Sequence, residues 1–182
     1  MTKALLVIDY SIDFVADNGR LTAGKRAQAI EQDICQAVTA AYQAGDFIYF
    51  MMDAHEVDDT YHPEYPLYPA HNIKGTRGSG LYGKVADLYE KIKEESRVSF
   101  KEKTYYSAFV GTDLDSRLRE RGIGTVVLAG VLTDVCILHT AISAYNLGYK
   151  VEVIEAAVAG LSDSKEAFAL AHMTESLGAT LL

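Results

Sequence analysis

The chain has 182 residues, 49% hydrophobic and 23% charged, a composition that excludes disorder and suits one domain with a substantial core, residues 1–182. Its net charge is −8 and no cluster of Lys or Arg forms a stripe, so we expect no nucleic-acid partner. No apolar run is long enough to span a bilayer and no signal peptide is recognisable, so we expect no membrane association and, for the 2 cysteines, free thiols in a reducing cytoplasm.

Short apolar runs rich in β-branched and aromatic residues predict buried strands, and the segments between them have helical spacing. The strands are predicted at Ala4–Asp9, Phe47–Asp53, Val98–Lys101, Thr125–Ala129, Val151–Ala156 and Ala179–Leu182. The helices are predicted at Arg26–Ala44, Asp113–Arg121, Asp134–Leu147 and Asp163–Leu177. This alternation implies right-handed crossovers, so we expect a three-layer α/β/α fold around a mostly parallel sheet of about six strands, with Rossmann-like topology.

The stretch from His55 to Gly83 interrupts the alternation of strands and helices. It contains all 3 prolines of the chain together with several glycines and many tyrosines, which are residues typical of turns and loops. We therefore expect a long loop at about residues 54–83. A loop of that length inside a compact domain is usually functional.

A possible set of metal ligands lies at the start of this loop and within it. Asp53 and His55 leave the end of the second predicted strand together, and His71 lies within the loop. One carboxylate and two imidazoles are a common set of ligands for Zn²⁺ or a similar divalent ion, with positions left open for water or substrate. Glu64 and His62 compete for a further ligand position, and we favour Glu64 because a carboxylate balances the charge of the ion. The alternative is that these are polar loop residues without an ion.

Two charged residues follow other strands. Asp9 ends the first predicted strand, where it either caps a turn or projects as a general base or metal ligand. Lys103 lies just after the third predicted strand and is either a solvated surface lysine or a cation drawn inward. An inward lysine would offset the repulsion between Asp9 and a neighbouring thiolate.

Cys136 ends the run Gly-Val-Leu-Thr-Asp-Val-Cys, which follows the apolar stretch Thr125–Ala129. Thr and Asp are both favoured at a helix N-cap, so Thr133 or Asp134 would place the thiol in the first turn of a helix that directly follows a strand. The amides and macrodipole of such a turn favour an anion and lower the pKa of a thiol. Cysteine is also among the most buried residue types, so this pattern alone fits an inert core thiol equally well.

The order of these motifs is similar to that of a known family. Asp9, the segment Lys-Thr-Tyr-Tyr-Ser-Ala-Phe beginning at Lys103, and the Gly-Val-Leu-Thr-Asp-Val-Cys run together resemble the isochorismatase-like cysteine hydrolases over nearly the whole chain. The resemblance implies a catalytic triad of Cys136, Asp9 and Lys103. It also implies a cis peptide bond between Val131 and Leu132, with the amides of Leu132 and Cys136 forming an oxyanion hole.

The segment Asp-Ala-His with the later Tyr-Pro-Ala-His is similar to the metal site of the nicotinamidase subgroup of that family. This implies hydrolysis of nicotinamide to nicotinate and ammonia through a cysteine thioester, and a small-molecule substrate as the main partner. It also implies a divalent ion, Zn²⁺ in the first place with Fe²⁺ or Mn²⁺ as alternatives, that orients the pyridine ring. Members often form dimers or larger assemblies. Four residues are expected to line the pocket: Phe14, Tyr68, Tyr106 and Leu132.

Two other functions are compatible with the same residues. One is that of a related amidohydrolase acting on a carbamoyl or ureido compound, which the metal motif disfavours because such substrates have no ring nitrogen to anchor. The other is that of a catalytically silent binding protein on the same fold. Retention of the nucleophile, the carboxylate and the lysine together argues against the silent protein.

Overall fold

The structure is a computed structural model that describes residues 2–182. Within these residues, six strands form one sheet in the order β3-β2-β1-β4-β5-β6, and every neighbouring pair is parallel. The strands are β1 (Ala4–Ile8), β2 (Phe47–Asp53), β3 (Val98–Lys103), β4 (Thr125–Val131), β5 (Lys150–Ala159) and β6 (Thr180–Leu181). The predicted fold class is confirmed, and most strands are longer or shorter than predicted by only a few residues.

Helices cover both faces of this sheet. They are α1 (Ile12–Val15), α2 (Gly24–Ala29), α3 (Glu31–Ala44), α4 (Gly83–Ile92), α5 (Leu114–Glu120), α6 (Leu138–Asn146) and α7 (Asp163–Leu177). Alternate residues of β1 enter two separate hydrophobic clusters, one packed by α1–α4 and the other by α5–α7, because successive side chains of a strand point to opposite faces. Among residues 2–182 no helix has the length and hydrophobicity of a membrane span.

Two helix predictions were wrong in detail. The predicted helix Arg26–Ala44 is broken at Ile30, whose φ of −86° and ψ of 1° interrupt the helical backbone while its side chain stays buried in the core. The helix α4 was not predicted, because its first residue, Gly83, is also the last residue of the predicted loop rich in Gly and Tyr. In contrast, the helix predicted at Asp163–Leu177 is found with these bounds: Ser162 accepts a hydrogen bond from the Lys165 amide at the start of α7, and Gly178 ends that helix with φ of 65°.

The strand order places a crevice at the carboxyl edge of the sheet. The chain runs outward from β1 through β2 to β3, then returns to β4 and runs outward in the opposite direction through β5 to β6. Neighbouring connections therefore diverge at the boundary between β1 and β4, which is where parallel α/β sheets bind ligands. The carboxyl ends of β1, β2, β3 and β4 meet at this edge.

Gly130 allows β1 and β4 to approach each other at that boundary. It pairs with Ile8 in the parallel register, and the register between β4 and β5 shifts between Leu128 and Gly130. Its φ is 118°, and a Cβ atom on Gly130 would lie 2.0 Å from the carbonyl oxygen of Ile8. A glycine is required here both for its backbone conformation and for space.

Replacement of this glycine should destabilise the protein. Gly130→Ala should lower the free energy of unfolding by about 3 kcal/mol or more, because backbone atoms of β1 must move to admit the methyl group. Gly124→Ala is the matched control, since nothing lies within 4 Å of the added Cβ, and it should stay within about 1 kcal/mol of the parent. Urea denaturation measures both values, and equal stability of the two variants would contradict the argument.

Candidate active site

Asp9 lies at the centre of the crevice, in a left-handed backbone conformation with φ of 56°. Its side chain is fully buried, its Oδ1 accepts the backbone N–H of Asp53 at 2.7 Å, and its Oδ2 lies 2.8 Å from Nζ of Lys103. Burial raises the pKa of Asp9 to about 6, although the positive charge of Lys103 opposes the shift. The carboxylate therefore joins the ends of three strands.

Lys103 is drawn inward at the end of β3, as one of the two sequence interpretations required. Its Nζ is fully buried and contacts three groups: the carboxylate of Asp9, the carbonyl oxygen of Tyr105 at 3.0 Å and the sulfur of Cys136 at 3.9 Å. Burial disfavours its charge, but the negative groups around it, Asp9 first among them, together outweigh burial and raise the pKa of Lys103. A buried lysine with these partners carries its charge permanently.

Cys136 lies in the turn after β4, but the helix there does not begin as predicted. Residues Thr133–Ile137 form a π-helical turn that continues into α6, and the N-cap position is Leu132. The prediction of Thr133 or Asp134 as the cap was wrong: neither side chain caps the turn, and the Thr133 hydroxyl lies within hydrogen-bonding distance of Glu166 instead, at 3.4 Å. The peptide bond between Val131 and Leu132 is cis, as the family resemblance implies.

The expectation of a lowered thiol pKa was also wrong. Burial of the sulfur, followed by the nearby negative charge of Asp9, raises the pKa of Cys136 well above its ordinary value, and Lys103 offsets this only in part. Burial and the neighbouring carboxylate of Asp9 thus favour the neutral thiol over the thiolate. An attack by sulfur therefore needs a base, and the adjacent carboxylate is positioned to act as one.

A second cluster lies beside Asp9, at the end of β2. Ligand atoms of Asp53, His55 and His71 all lie within 4.8 Å of one another. Oδ2 of Asp53 is 2.9 Å from Nε2 of His55 and 3.4 Å from Nε2 of His71, and Oε2 of Glu64 is 3.7 Å from that same His71 nitrogen. All four side chains are buried.

The hydrogen bonds of the two histidines in the loop distinguish a candidate metal ligand from a residue that only packs. Nδ1 of His71 donates to the carbonyl oxygen of Pro69 at 2.8 Å, so its buried Nε2, which has no hydrogen-bond partner, carries the lone pair. In His62 the nitrogen roles are reversed: Nδ1 accepts the Glu64 N–H at 3.3 Å, which leaves the proton on Nε2, although that atom is likewise buried without a hydrogen-bond partner among residues 2–182. The donor set of Asp53, His55, His71 and Glu64 therefore fits a divalent ion, and His62 packs against the ring of His55 with centroids 4.7 Å apart.

A cavity of about 170 Å³ separates the thiol from this cluster. All of the residues expected to line the pocket are found there, namely Phe14, Tyr68, Tyr106 and Leu132. Asp53 and Glu64 of the second cluster line the same cavity as Cys136. The arrangement can hold a small flat molecule in contact with both the nucleophile and the acidic side chains.

Several residues at the site were missed by sequence reasoning. The mouth of the cavity includes residues from four segments, namely Leu21, Thr22, Ala23, Val135, Leu161 and Lys165. Ser11, Asp13 and Asn72 form a buried polar group behind Asp53. The pattern Ser-Ile-Asp-Phe is a recognisable helix start and could have identified Ser11 as a cap, but nothing in the sequence pairs it with Asn72.

His139 does not form a dyad with Cys136. Its Nδ1 lies 2.7 Å from the carbonyl oxygen of Val135, and its ring packs against Tyr106 with centroids 5.2 Å apart. The histidine thus supports one wall of the cavity. Its position one turn beyond the cysteine on the same helix points the ring toward this wall and not toward the sulfur.

Comparison with known proteins places the chain in a family. A model of the isochorismatase domain matches residues 3–182. A relative from Bacillus subtilis (strain 168), named as the uncharacterized isochorismatase family protein PncA, is 49% identical, and the alignment covers 98% of each chain. The match thus spans the whole fold and every site residue described above.

Solved structures give the same result. The crystal structure of pyrazinamidase/nicotinamidase from Streptococcus mutans UA159 has 57% sequence identity and a TM-score of 0.98, and the comparison covers 100% of both chains. A pyrazinamidase of Pyrococcus horikoshii in complex with zinc has 26% identity and a TM-score of 0.86, covering 100% of this chain and 99% of that one.

Two lysines on β3 lie in different environments, so comparing them tests how much the buried ion pair of Asp9 and Lys103 contributes to stability. Lys103→Ala should lower the free energy of unfolding by about 3–5 kcal/mol, because it leaves the buried carboxylate of Asp9 without its cation. Lys101 lies two residues away and pairs with Asp113 at 3.1 Å, but both side chains are partly exposed, so Lys101→Ala should cost less than about 1 kcal/mol. Equal losses in chemical denaturation would refute a special role for the buried pair.

Proposed function

The chain belongs to the isochorismatase family of hydrolases, and on that premise we propose that it is a nicotinamidase, which converts nicotinamide and water to nicotinate and ammonia. One observation carries the proposal: the buried thiol of Cys136, with Asp9 and Lys103 next to it, lines one small cavity together with Asp53 and Glu64, which belong to the cluster of Asp, His, His and Glu. An amide hydrolase needs a nucleophile and a base, which the thiol and the carboxylate provide. The cluster of Asp, His, His and Glu would serve to orient a substrate whose ring bears a nitrogen.

In the proposed reaction Asp9 takes the thiol proton while the sulfur of Cys136 attacks the carboxamide carbon. The amides of Leu132 and Cys136 are proposed to hold the oxyanion of the tetrahedral intermediate. As the intermediate collapses, Asp9 returns the proton to the departing nitrogen and ammonia leaves. Asp9 then deprotonates a water molecule that cleaves the thioester, which releases nicotinate and restores the thiol. Lys103 keeps its positive charge throughout and stabilises Asp9 and the sulfur.

We propose that Asp53, His55, His71 and Glu64 hold a divalent metal ion. When bound, this ion supplies a Lewis-acidic contact for the pyridine nitrogen and so orients the ring. Zn²⁺ is our first choice because imidazole and carboxylate suit it and because a similar pyrazinamidase is described in complex with zinc. Fe²⁺ and Mn²⁺ suit the same donors.

Aromatic walls complete the proposed substrate site. Phe14 packs against the ring of His71 with centroids 5.4 Å apart, and Tyr68 and Tyr106 both line the cavity. These flat surfaces suit a pyridine ring. We further propose that the protein works in a reducing cytoplasm, because the mechanism needs a free thiol and both cysteines are free.

The nucleophile can be tested against the other cysteine of the chain. Cys136→Ala should lower the rate of ammonia release from nicotinamide by more than about a thousandfold, because no group replaces the sulfur. Cys35 lies in α3 and packs, partly buried, against the hydrophobic cluster on the opposite face of the sheet from Cys136, so it serves as the control, and Cys35→Ala should keep the parental rate. A panel with carbamoyl and ureido compounds should give slower release than nicotinamide, and the opposite order would favour the related amidohydrolase.

The metal ligands can be tested by comparing the two residues that competed for the fourth position. Glu64→Gln should weaken binding of Zn²⁺ by about tenfold or more, because a charged ligand is lost. His62→Gln should leave the dissociation constant within about threefold, because the proton on its Nε2 prevents ligation. Competition with a chromophoric chelator, starting from metal-stripped protein, measures both constants, and the reverse ranking would assign the site to His62.

A further inference from the structure

Asn72 follows His71 directly and lies completely buried behind the metal cluster. Its backbone φ of 44° is left-handed, a conformation that asparagine adopts more readily than most residues. A buried amide must have hydrogen-bond partners for its oxygen and nitrogen, and a fully buried asparagine is uncommon. Its hydrogen-bond partners are Asp53 and His55 of the metal cluster and Ser11 and Asp13 behind it.

The side-chain amide of Asn72 has one orientation that satisfies its neighbours. Its Nδ2 donates to Oδ2 of Asp53 at 3.1 Å, and its Oδ1 accepts the hydroxyl proton of Ser11 at 2.8 Å. The Ser11 oxygen in turn accepts the N–H of Phe14 at 3.3 Å, as the cap of α1. A flipped amide would place its oxygen against the carboxylate of Asp53, where two acceptors repel each other.

The backbone of Asn72 is fixed as firmly as its side chain. Its N–H donates to Oδ2 of Asp13 at 2.8 Å, and its carbonyl oxygen accepts the N–H of His55 at 3.0 Å. Asp13 is itself buried and also accepts the N–H of Arg20 at 3.3 Å. One residue thus contacts the side chain of one proposed ligand and the backbone of a second, and is bonded covalently to a third.

We propose that Asn72 is a positioning residue that sets the affinity of the metal site by fixing the Asp53 carboxylate against His55 and His71. This rests on the metal site proposed above. Hydrogen bonds to a ligating carboxylate hold it in the binding orientation, so less entropy is lost when the ion binds. The link through Ser11 also ties this orientation to α1, which carries Phe14 into the cavity.

The test compares the affinity of metal-stripped protein for Zn²⁺, measured by chelator competition without any assay of turnover. Asn72→Gly removes the amide but tolerates the left-handed backbone and keeps both backbone hydrogen bonds. Its dissociation constant should rise by about ten- to a hundredfold. Val38→Ala in α3 is the control for a general loss of stability, since Val38 is equally buried in the core, and it should bind Zn²⁺ as the parent does.

Three results would overturn the proposal. They are an unchanged constant for Asn72→Gly, an equal weakening in Val38→Ala, and a parent protein that does not bind Zn²⁺. The last would refute the metal site itself, whereas tight binding by the parent together with an unchanged Asn72→Gly would refute only the role of Asn72. If Asn72→Gly does not fold, Ser11→Ala decides the question. Loss of the hydroxyl that orients the amide should weaken binding several-fold, and a parental constant would count against the proposal.

Discussion

The buried ion pair between Asp9 and Lys103 is the contact on which the rest of the site depends. Its atoms are 2.8 Å apart, and both side chains are completely withdrawn from water. Such a pair is stable only if each charge has further partners, because the two desolvation penalties are large. Lys103 finds the Tyr105 carbonyl and the Cys136 sulfur, and Asp9 finds the Asp53 amide. Satisfying this one pair therefore brings four segments of the chain to a single point.

The balance of charge around this pair explains why the nucleophile rests as a thiol. The pocket holds one buried cation and one buried carboxylate next to the sulfur, so a thiolate would add a second anion that burial penalises strongly. When sulfur attacks a carbonyl group, the proton moves to Asp9 and the new negative charge develops on the substrate oxygen instead. The sulfur and the Asp9 carboxylate are therefore not negatively charged at the same time. Lys103 faces one net negative charge at each step. A helix terminus alone, the basis of the sequence expectation, could not override burial.

The sequence allowed the strands and the residues at their ends to be predicted, because both depend on local patterns. Buried parallel strands are continuous apolar runs, and their carboxyl ends meet at one edge, so the positions of Asp9, Asp53 and Lys103 allowed one shared site. The family resemblance decided between that site and the alternatives of turn and surface residues. The π-helical turn at Cys136 and the break at Ile30 could not be predicted, since tertiary packing decides them. The contact between Ser11 and Asn72 joins residues 61 positions apart. Gly78 leaves space for the Asp13 carboxylate, with which a Cβ atom at that position would collide, but in the sequence it has only turn-like features. Polar supports of this kind carry no periodic pattern.

A backbone amide joins the general base directly to the second cluster. The Asp53 N–H donates to Asp9, and Asp53 also belongs to the proposed metal cluster, so the distance between the base and that cluster is set by the pairing of β1 with β2 and cannot adjust to a substrate. The polar network behind Asp53 restrains the carboxylate further. A rigid site gains most from a rigid substrate, because neither partner then loses conformational freedom on binding. An aromatic amide, with its carboxamide and ring nitrogen held at a constant separation, matches this constraint. A flexible ureido chain has no such constant separation, which is why the geometry favours a pyridine carboxamide among the amides that a cysteine hydrolase of this family could cleave.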